Sequence, residues 1–137
     1  MQFIQNNLGL VALVVVSGLM IFWPMVNRRL TGIKEVGVVE ATQLINHHDA
    51  LVLDVREDQE YSQGRVPHSK HIPLRQLIDR LPELEKYKNK PIIAICRSGA
   101  RSGHSCSVLR KNGFEQVYNL NGGMTSWQQA NMPVEHK

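Results

Sequence analysis

The segment Pro91-Ile92-Ile93-Ala94-Ile95-Cys96-Arg97-Ser98-Gly99-Ala100-Arg101-Ser102 decides how the rest of the chain is read. Pro91 to Ile95 is an apolar run of strand length, and it delivers a lone cysteine to a short loop that holds a glycine and two arginines. Such a run fits a strand buried on both faces, as in a parallel sheet. Ligands of such sheets bind beyond the carboxyl ends of strands, and Cys96 lies at one.

Working outward, Arg101 to Asn112 predicts a helix closed by Gly113, and Gln116 to Leu120 a further strand. Gly122-Gly123 then turns the chain into a last helix, Met124 to Ala130. Upstream, Ala50 to Val55 is a second buried strand that ends in charged residues. Val36 to Val39 predicts a short strand and Glu40 to Asn46 a short helix with Ala41, Leu44 and Ile45 on one face. Arg75 to Tyr87 has a helical pattern interrupted at Pro82. Strands alternating with helices predict an α/β fold with a mainly parallel sheet covered on both faces.

The 137 residues suffice for one domain and an extra element. That element is the stretch Met1 to Asn27, which contains no Asp, Glu, Lys or Arg. Within it, Leu8 to Val26 is 19 residues of nearly unbroken apolar character. A helix of that length rises about 1.5 Å per residue and nearly spans a hydrocarbon core of about 30 Å. Met1 to Asn7 carries no basic residue, and no Ala-x-Ala-like triplet follows the apolar run, so a retained anchor is expected rather than a cleaved signal. The expected organisation is a transmembrane helix at 8–26, a juxtamembrane linker at 27–35 and a folded domain at 36–137. Arg28, Arg29 and Lys34 follow the span, which places the folded domain in the cytoplasm, on a bacterial inner membrane. Two cysteines make no disulfide framework, and a net charge of +4 gives no nucleic-acid surface.

A thiol is nucleophilic as its thiolate, and the loop offers three means of stabilising one: a helix N-terminus near Arg101, free backbone N–H groups, and two guanidinium groups. Gly99 permits a sharp backbone path, and Ser98 and Ser102 can donate hydroxyl hydrogen bonds or cap the helix. A merely buried, inert cysteine would explain the strand but not the loop that follows it.

From about Val36 to Pro133 the chain resembles a single-domain rhodanese, a sulfurtransferase. Leu53-Asp54-Val55-Arg56-Glu57 with Glu60-Tyr61 and Gly64 resembles the family's first signature, Ile72-Pro73-Leu74 follows, and CRSGARS resembles its active-site loop. Gly113-Phe114, Val117 to Leu120, Gly122-Gly123 and Trp127 resemble the C-terminal signature. The resemblance implies a rhodanese-like sandwich with a central, mainly parallel five-stranded sheet flanked by helices, and no cofactor. It implies that Cys96 takes sulfur from a small anionic donor such as thiosulfate, holds it as a persulfide, and passes it to cyanide, a thiol or a protein acceptor. Arg97, Ser98, Gly99, Ala100 and Arg101 would form the substrate cradle, with Asp54, Arg56 and Ser102 supporting it.

The spacing Cys96 to Arg101 is Cys-x4-Arg, one residue shorter than the Cys-x5-Arg loop of related phosphatases, which favours sulfur over phosphate. A phosphatase or arsenate-reductase-like activity is the weaker alternative, and a sulfur carrier or docking module for a membrane partner is another. Arg101 either clamps an anionic donor or pairs with a carboxylate to shape the loop. Arg97 either attracts donors or is a solvated rim charge. His68 stands where the family usually has glycine, so a different backbone path is expected there. Cys106 falls on the sheet-facing side of its helix and is expected to be a small core residue. The six histidines show no metal-ligand spacing.

Overall fold

The computed structural model describes residues 1–31 and 33–136, with side chains at 1–26 and 33–136. The chain divides into two compact units at Thr31. The first holds helices α1 (Gln2–Asn6) and α2 (Leu8–Thr31). The apolar window Leu8–Val26 of α2 has a mean hydropathy of 2.3 and none of it is buried, so α2 is long and apolar enough to cross a membrane. Pro24 lies inside it, and the helix outlasts the apolar stretch by five residues. The two ends differ because hydropathy sets the span while backbone hydrogen bonds set the helix. Within the segment expected as a linker, 27–35, α2 continues to Thr31 and the first strand begins at Lys34. The side chains of Arg28 and Arg29, on which the expected orientation rests, lie outside the described residues, as does Gly32.

The second unit runs β1 (Lys34–Val36), α3 (Val38–His48), β2 (Leu51–Asp54), α4 (Asp58–Ser62), β3 (Lys70–His71), β4 (Ile92–Ile95), α5 (Ala100–Lys111), β5 (Val117–Leu120) and α6 (Gly123–Gln129). The five strands form one parallel sheet in the order β1-β5-β4-β2-β3. Side chains alternate between its faces, as strand geometry requires. Leu51, Leu53, Val55, Ile92, Ala94 and Cys96 join one core with Cys106 and Leu109 of α5. Val52, Ile93, Ile95 and Leu120 join the other with Met124 and Trp127 of α6. This two-sided burial is why β2 and β4 read as continuous apolar runs rather than alternating ones.

The expected strand at Val36–Val39 falls earlier, at Lys34–Val36, because Val38 and Val39 open α3. The helical pattern of Arg75 to Tyr87 yields no α-helix but two 3-10 segments, Leu74–Gln76 and Leu81–Tyr87. Pro82 is tolerated only at the start of a helical segment, and fully buried Leu77 and Leu84 draw the chain onto the sheet in tight turns. His68 has φ 63, in the left-handed region that favours glycine. That conformation costs about 1–2 kcal/mol for a residue with a side chain.

Candidate active site

Register gathers the site at one end of the sheet. Asp54 of β2 pairs with Ile95 of β4, so Val55-Arg56 and Cys96-Arg97 leave the sheet side by side. α5 begins four residues after Cys96, and Gly99 makes the turn at φ 109. That turn folds the loop back over the sulfur: Gly99 N–H donates to Cys96 Sγ at 2.9 Å, and the Ser102 hydroxyl lies 3.3 Å from it.

Burial of Cys96 pushes its pKa up, but the Ser102 hydroxyl and the backbone amides of Ser102, Gly99 and Ser98 outweigh burial and hold the thiol below its ordinary value. Cys106 contrasts with it. Fully buried in the core, it is pushed up to about 12, chiefly by burial and further by the charge of Glu35. Alkylation of the native protein is thus expected to modify Cys96, with a rate that levels off at a lower pH than for free cysteine, and to spare Cys106. Peptide mass spectrometry after a pH series of iodoacetamide treatments checks both. The lowered thiol also stabilises the fold above the ordinary thiol range, and that contribution is lost as pH falls through its folded value.

Arg101, in the first turn of α5, makes a bidentate pair with Glu60 of α4, at 2.7 and 2.8 Å. The Arg101 hydrogen bond holds the Glu60 carboxyl down to about 2, so the pair persists wherever the thiol titrates. Glu60 is set in turn by the capping box of α4, where its side chain accepts from Glu57 N–H. Asp54 and Arg56 form a buried pair at 2.7 Å behind this arrangement. Arg56 also donates to the carbonyls of Glu60 (3.3 Å) and Gly64 (2.7 Å), tying β2 to the segment that carries Glu60.

Arg97 is exposed and lines a cleft of about 410 Å³ with Arg56, Glu60, Gln63, Thr125 and Gln128. Its carbonyl accepts from Thr125 N–H and Oγ1, and the Cys96 carbonyl accepts from Met124 N–H at 2.7 Å. The start of α6 thus clasps the cysteine loop from behind. A Cβ on Gly123 would lie 2.2 Å from the Cys96 carbonyl oxygen, and its φ is 54. Gly123→Ala is accordingly expected to destabilise the domain by about 3 kcal/mol, since steric conflict adds to left-handed strain. A fall in melting temperature of roughly 10–20 °C by circular dichroism would report it.

The sequence pattern of a rhodanese-like domain matches residues 38–130. The chain belongs to the rhodanese-like family. A sulfurtransferase of Allochromatium vinosum is 33% identical over 92 residues, covering 67% of this chain and 84% of that protein. The thiosulfate sulfurtransferase GlpE of Pseudoalteromonas translucida is 30% identical over 97 residues, 71% of this chain and 90% of its own length. The crystal structure of a rhodanese-related protein from Thermoplasma volcanium superposes with a TM-score of 0.69 at 28% identity, covering 76% of this chain and 99% of the other.

Within the rhodanese fold, the structure gathers Cys96 to Ser102 around one sulfur and stacks Asp54 and Arg56 one strand away. Two residues of the site escaped identification from sequence as site residues. Glu60 is visible in the sequence only as part of the first signature, and Asn119 only as part of the C-terminal one. A buried polar residue on a central strand is the signal that singles out Asn119.

Proposed function

We propose that this chain is a membrane-anchored sulfurtransferase that moves sulfane sulfur through a persulfide on Cys96. The observation that carries the proposal is the cradle of Gly99 N–H and Ser102 hydroxyl on Cys96 Sγ. The same donors that lower the thiol suit an anionic persulfide, because both carry negative charge on sulfur at that place.

In the first half-reaction the Cys96 thiolate attacks the outer sulfur of thiosulfate. The S–S bond of the donor breaks and its electron pair leaves with sulfite, while Cys96 retains Cys–S–S⁻. Arg97 at the cleft draws the anionic donor in, and Ser98, Gly99 and Ala100 shape the hole above the sulfur. Arg101, paired with Glu60, fixes the loop rather than standing free for a phosphate. In the second half-reaction cyanide or a thiolate attacks the outer sulfur, the Cys96 thiolate leaves, and thiocyanate or a new persulfide departs. The apolar helix α2 anchors the enzyme, and the basic residues Arg28, Arg29 and Lys34 after it favour a cytoplasmic domain on a bacterial inner membrane.

The test is the intact mass of the full chain in detergent before and after thiosulfate. A gain of one sulfur, removed by cyanide with release of thiocyanate through repeated cycles, is the expected result. Loading without turnover over cyanide or small thiols would make the chain a dedicated carrier, and no loading would overturn sulfur transfer from thiosulfate.

A further inference from the structure

The cradle around Cys96 contains a hydroxyl with more neighbours than protons. Ser102 Oγ, fully buried, lies 3.3 Å from Cys96 Sγ and 3.1 Å from the Gly99 carbonyl, and makes its shortest contact with Asn119 Oδ1. A serine hydroxyl carries one proton, so these partners compete for it.

The side-chain amide of Asn119 fixes the terms of the competition. Its Nδ2 faces two pure acceptors, the Gly99 carbonyl at 3.1 Å and Glu35 Oε1 at 3.2 Å. Turning the amide over would set its oxygen against two oxygens, so the NH₂ group must face them and Oδ1 must face Ser102. Sheet register brings Glu35 and Asn119 together once the strands pair. Glu35 stands opposite Asn119, Asn119 opposite Ala94, and Ala94 two residues before Cys96 on the same face. Ala94 is small enough to leave that face open to the amide.

We propose that Asn119, clamped by Glu35 and the Gly99 carbonyl, is a positioning residue that claims the Ser102 hydroxyl proton while Cys96 is a thiol and releases it when the sulfur becomes an anion. The inference rests on Cys96 being the nucleophile proposed above. In the resting form Cys96 S–H donates to Ser102 Oγ, and Ser102 O–H donates to Asn119 Oδ1. On ionisation the thiol proton is lost to bulk base, the serine hydroxyl turns to Sγ, and Asn119 Oδ1 loses its donor. The carboxylate of Glu35, accepting from Nδ2, polarises the amide and strengthens Oδ1 as the competing acceptor. Asn119 and Glu35 therefore restrain the thiolate, and the Ser102 hydroxyl stabilises it. Among the described residues, Arg101 and Cys106 of α5 also face Cys96, with Glu60 of α4 bound to Arg101, while Arg97 points to the cleft.

The experiment is the pH profile of Cys96 alkylation by iodoacetamide in the full chain in detergent, read on the Cys96 peptide. Ser102→Ala should raise the midpoint by about one pH unit, since it removes a hydrogen bond to an anion. Asn119→Ala should lower it by about half a pH unit, giving roughly threefold more thiolate below the midpoint, and Glu35→Gln should lower it by less. In the Ser102→Ala background neither substitution should move the midpoint, because the hydroxyl that links them to sulfur is gone. An unmoved or raised midpoint in folded Asn119→Ala overturns the proposal. So does a shift that persists without Ser102, which would mark a direct field on the thiol. If Asn119→Ala does not fold, Glu35→Gln on the exposed face of β1 decides by the same two criteria. Sulfur uptake from thiosulfate by the unsubstituted chain, measured alongside, separates the two questions. Its absence would sink the sulfurtransferase reading while the titration still judges the network, and uptake with an unmoved titration would sink the network alone.

Discussion

A Cys96→Ser chain is expected to fold nearly as well as the natural one and to take up no sulfur from thiosulfate. The substituted hydroxyl occupies the same place and accepts the Gly99 N–H that the sulfur accepts now, so the loop keeps its central hydrogen bond. The change in stability should stay within about 1 kcal/mol. Chemistry does not survive, because an alcohol ionises far above the range of a thiol and cannot hold sulfane sulfur. The rate should fall by about 10⁴-fold or more, the scale on which removal of a nucleophile acts. The checks are the intact mass after thiosulfate and the thiocyanate released with cyanide, beside a Cys106→Ser chain that should still load. Loading of Cys96→Ser, or failure of Cys106→Ser to load, would move the persulfide to the other thiol.

The second large effect is on stability. Asp54 is fully buried and accepts from Arg56 Nε at 3.0 and 3.1 Å, Nη2 at 2.7 Å and the Arg56 backbone N–H at 3.0 Å. Asp54→Ala leaves Arg56, a residue only 5% exposed, with two carbonyls and no directly bonded counter-charge, the nearby Glu60 carboxylate being already paired with Arg101. The expected loss is about 3–5 kcal/mol, the cost of an uncompensated buried charge. Removing both charges with Asp54→Ala and Arg56→Met together should cost less than Asp54→Ala alone, because the penalty lies in the stranded guanidinium rather than in the lost pair. Chemical unfolding of the three chains checks this, and a double variant less stable than Asp54→Ala would contradict it. Sulfur loading should fall in Asp54→Ala as well, since Arg56 holds the Glu60 carbonyl and Glu60 holds Arg101.

How much of the molecule was legible in advance follows from distance along the chain. The cradle lies within Cys96 to Ser102, and its glycine, its serines and the following helix are local features that a sequence displays directly. The Arg75 to Tyr87 segment has helical apolar spacing broken at Pro82, and whether it forms α or 3-10 turns is set by where Leu77 and Leu84 can reach the sheet. The Glu60 partner of Arg101 lies 41 residues away in the chain, beyond the reach of local pattern.

The sequence by itself determined the α/β class, the two buried strands leading to Arg56 and Cys96, the apolar span Leu8 to Val26 and the place of Cys96, because each follows from hydrophobic periodicity and local backbone chemistry. Only the tertiary structure brought Glu35, Asn119 and Ser102 into contact beside the thiol. Glu35 and Asn119 are 84 residues apart, and Asn119 and Ser102 are 17 apart, yet they meet because β1, β5 and β4 pair side by side in parallel register while α5 packs on the same face. That register is fixed by burying both faces of the sheet at once, a condition no single segment contains.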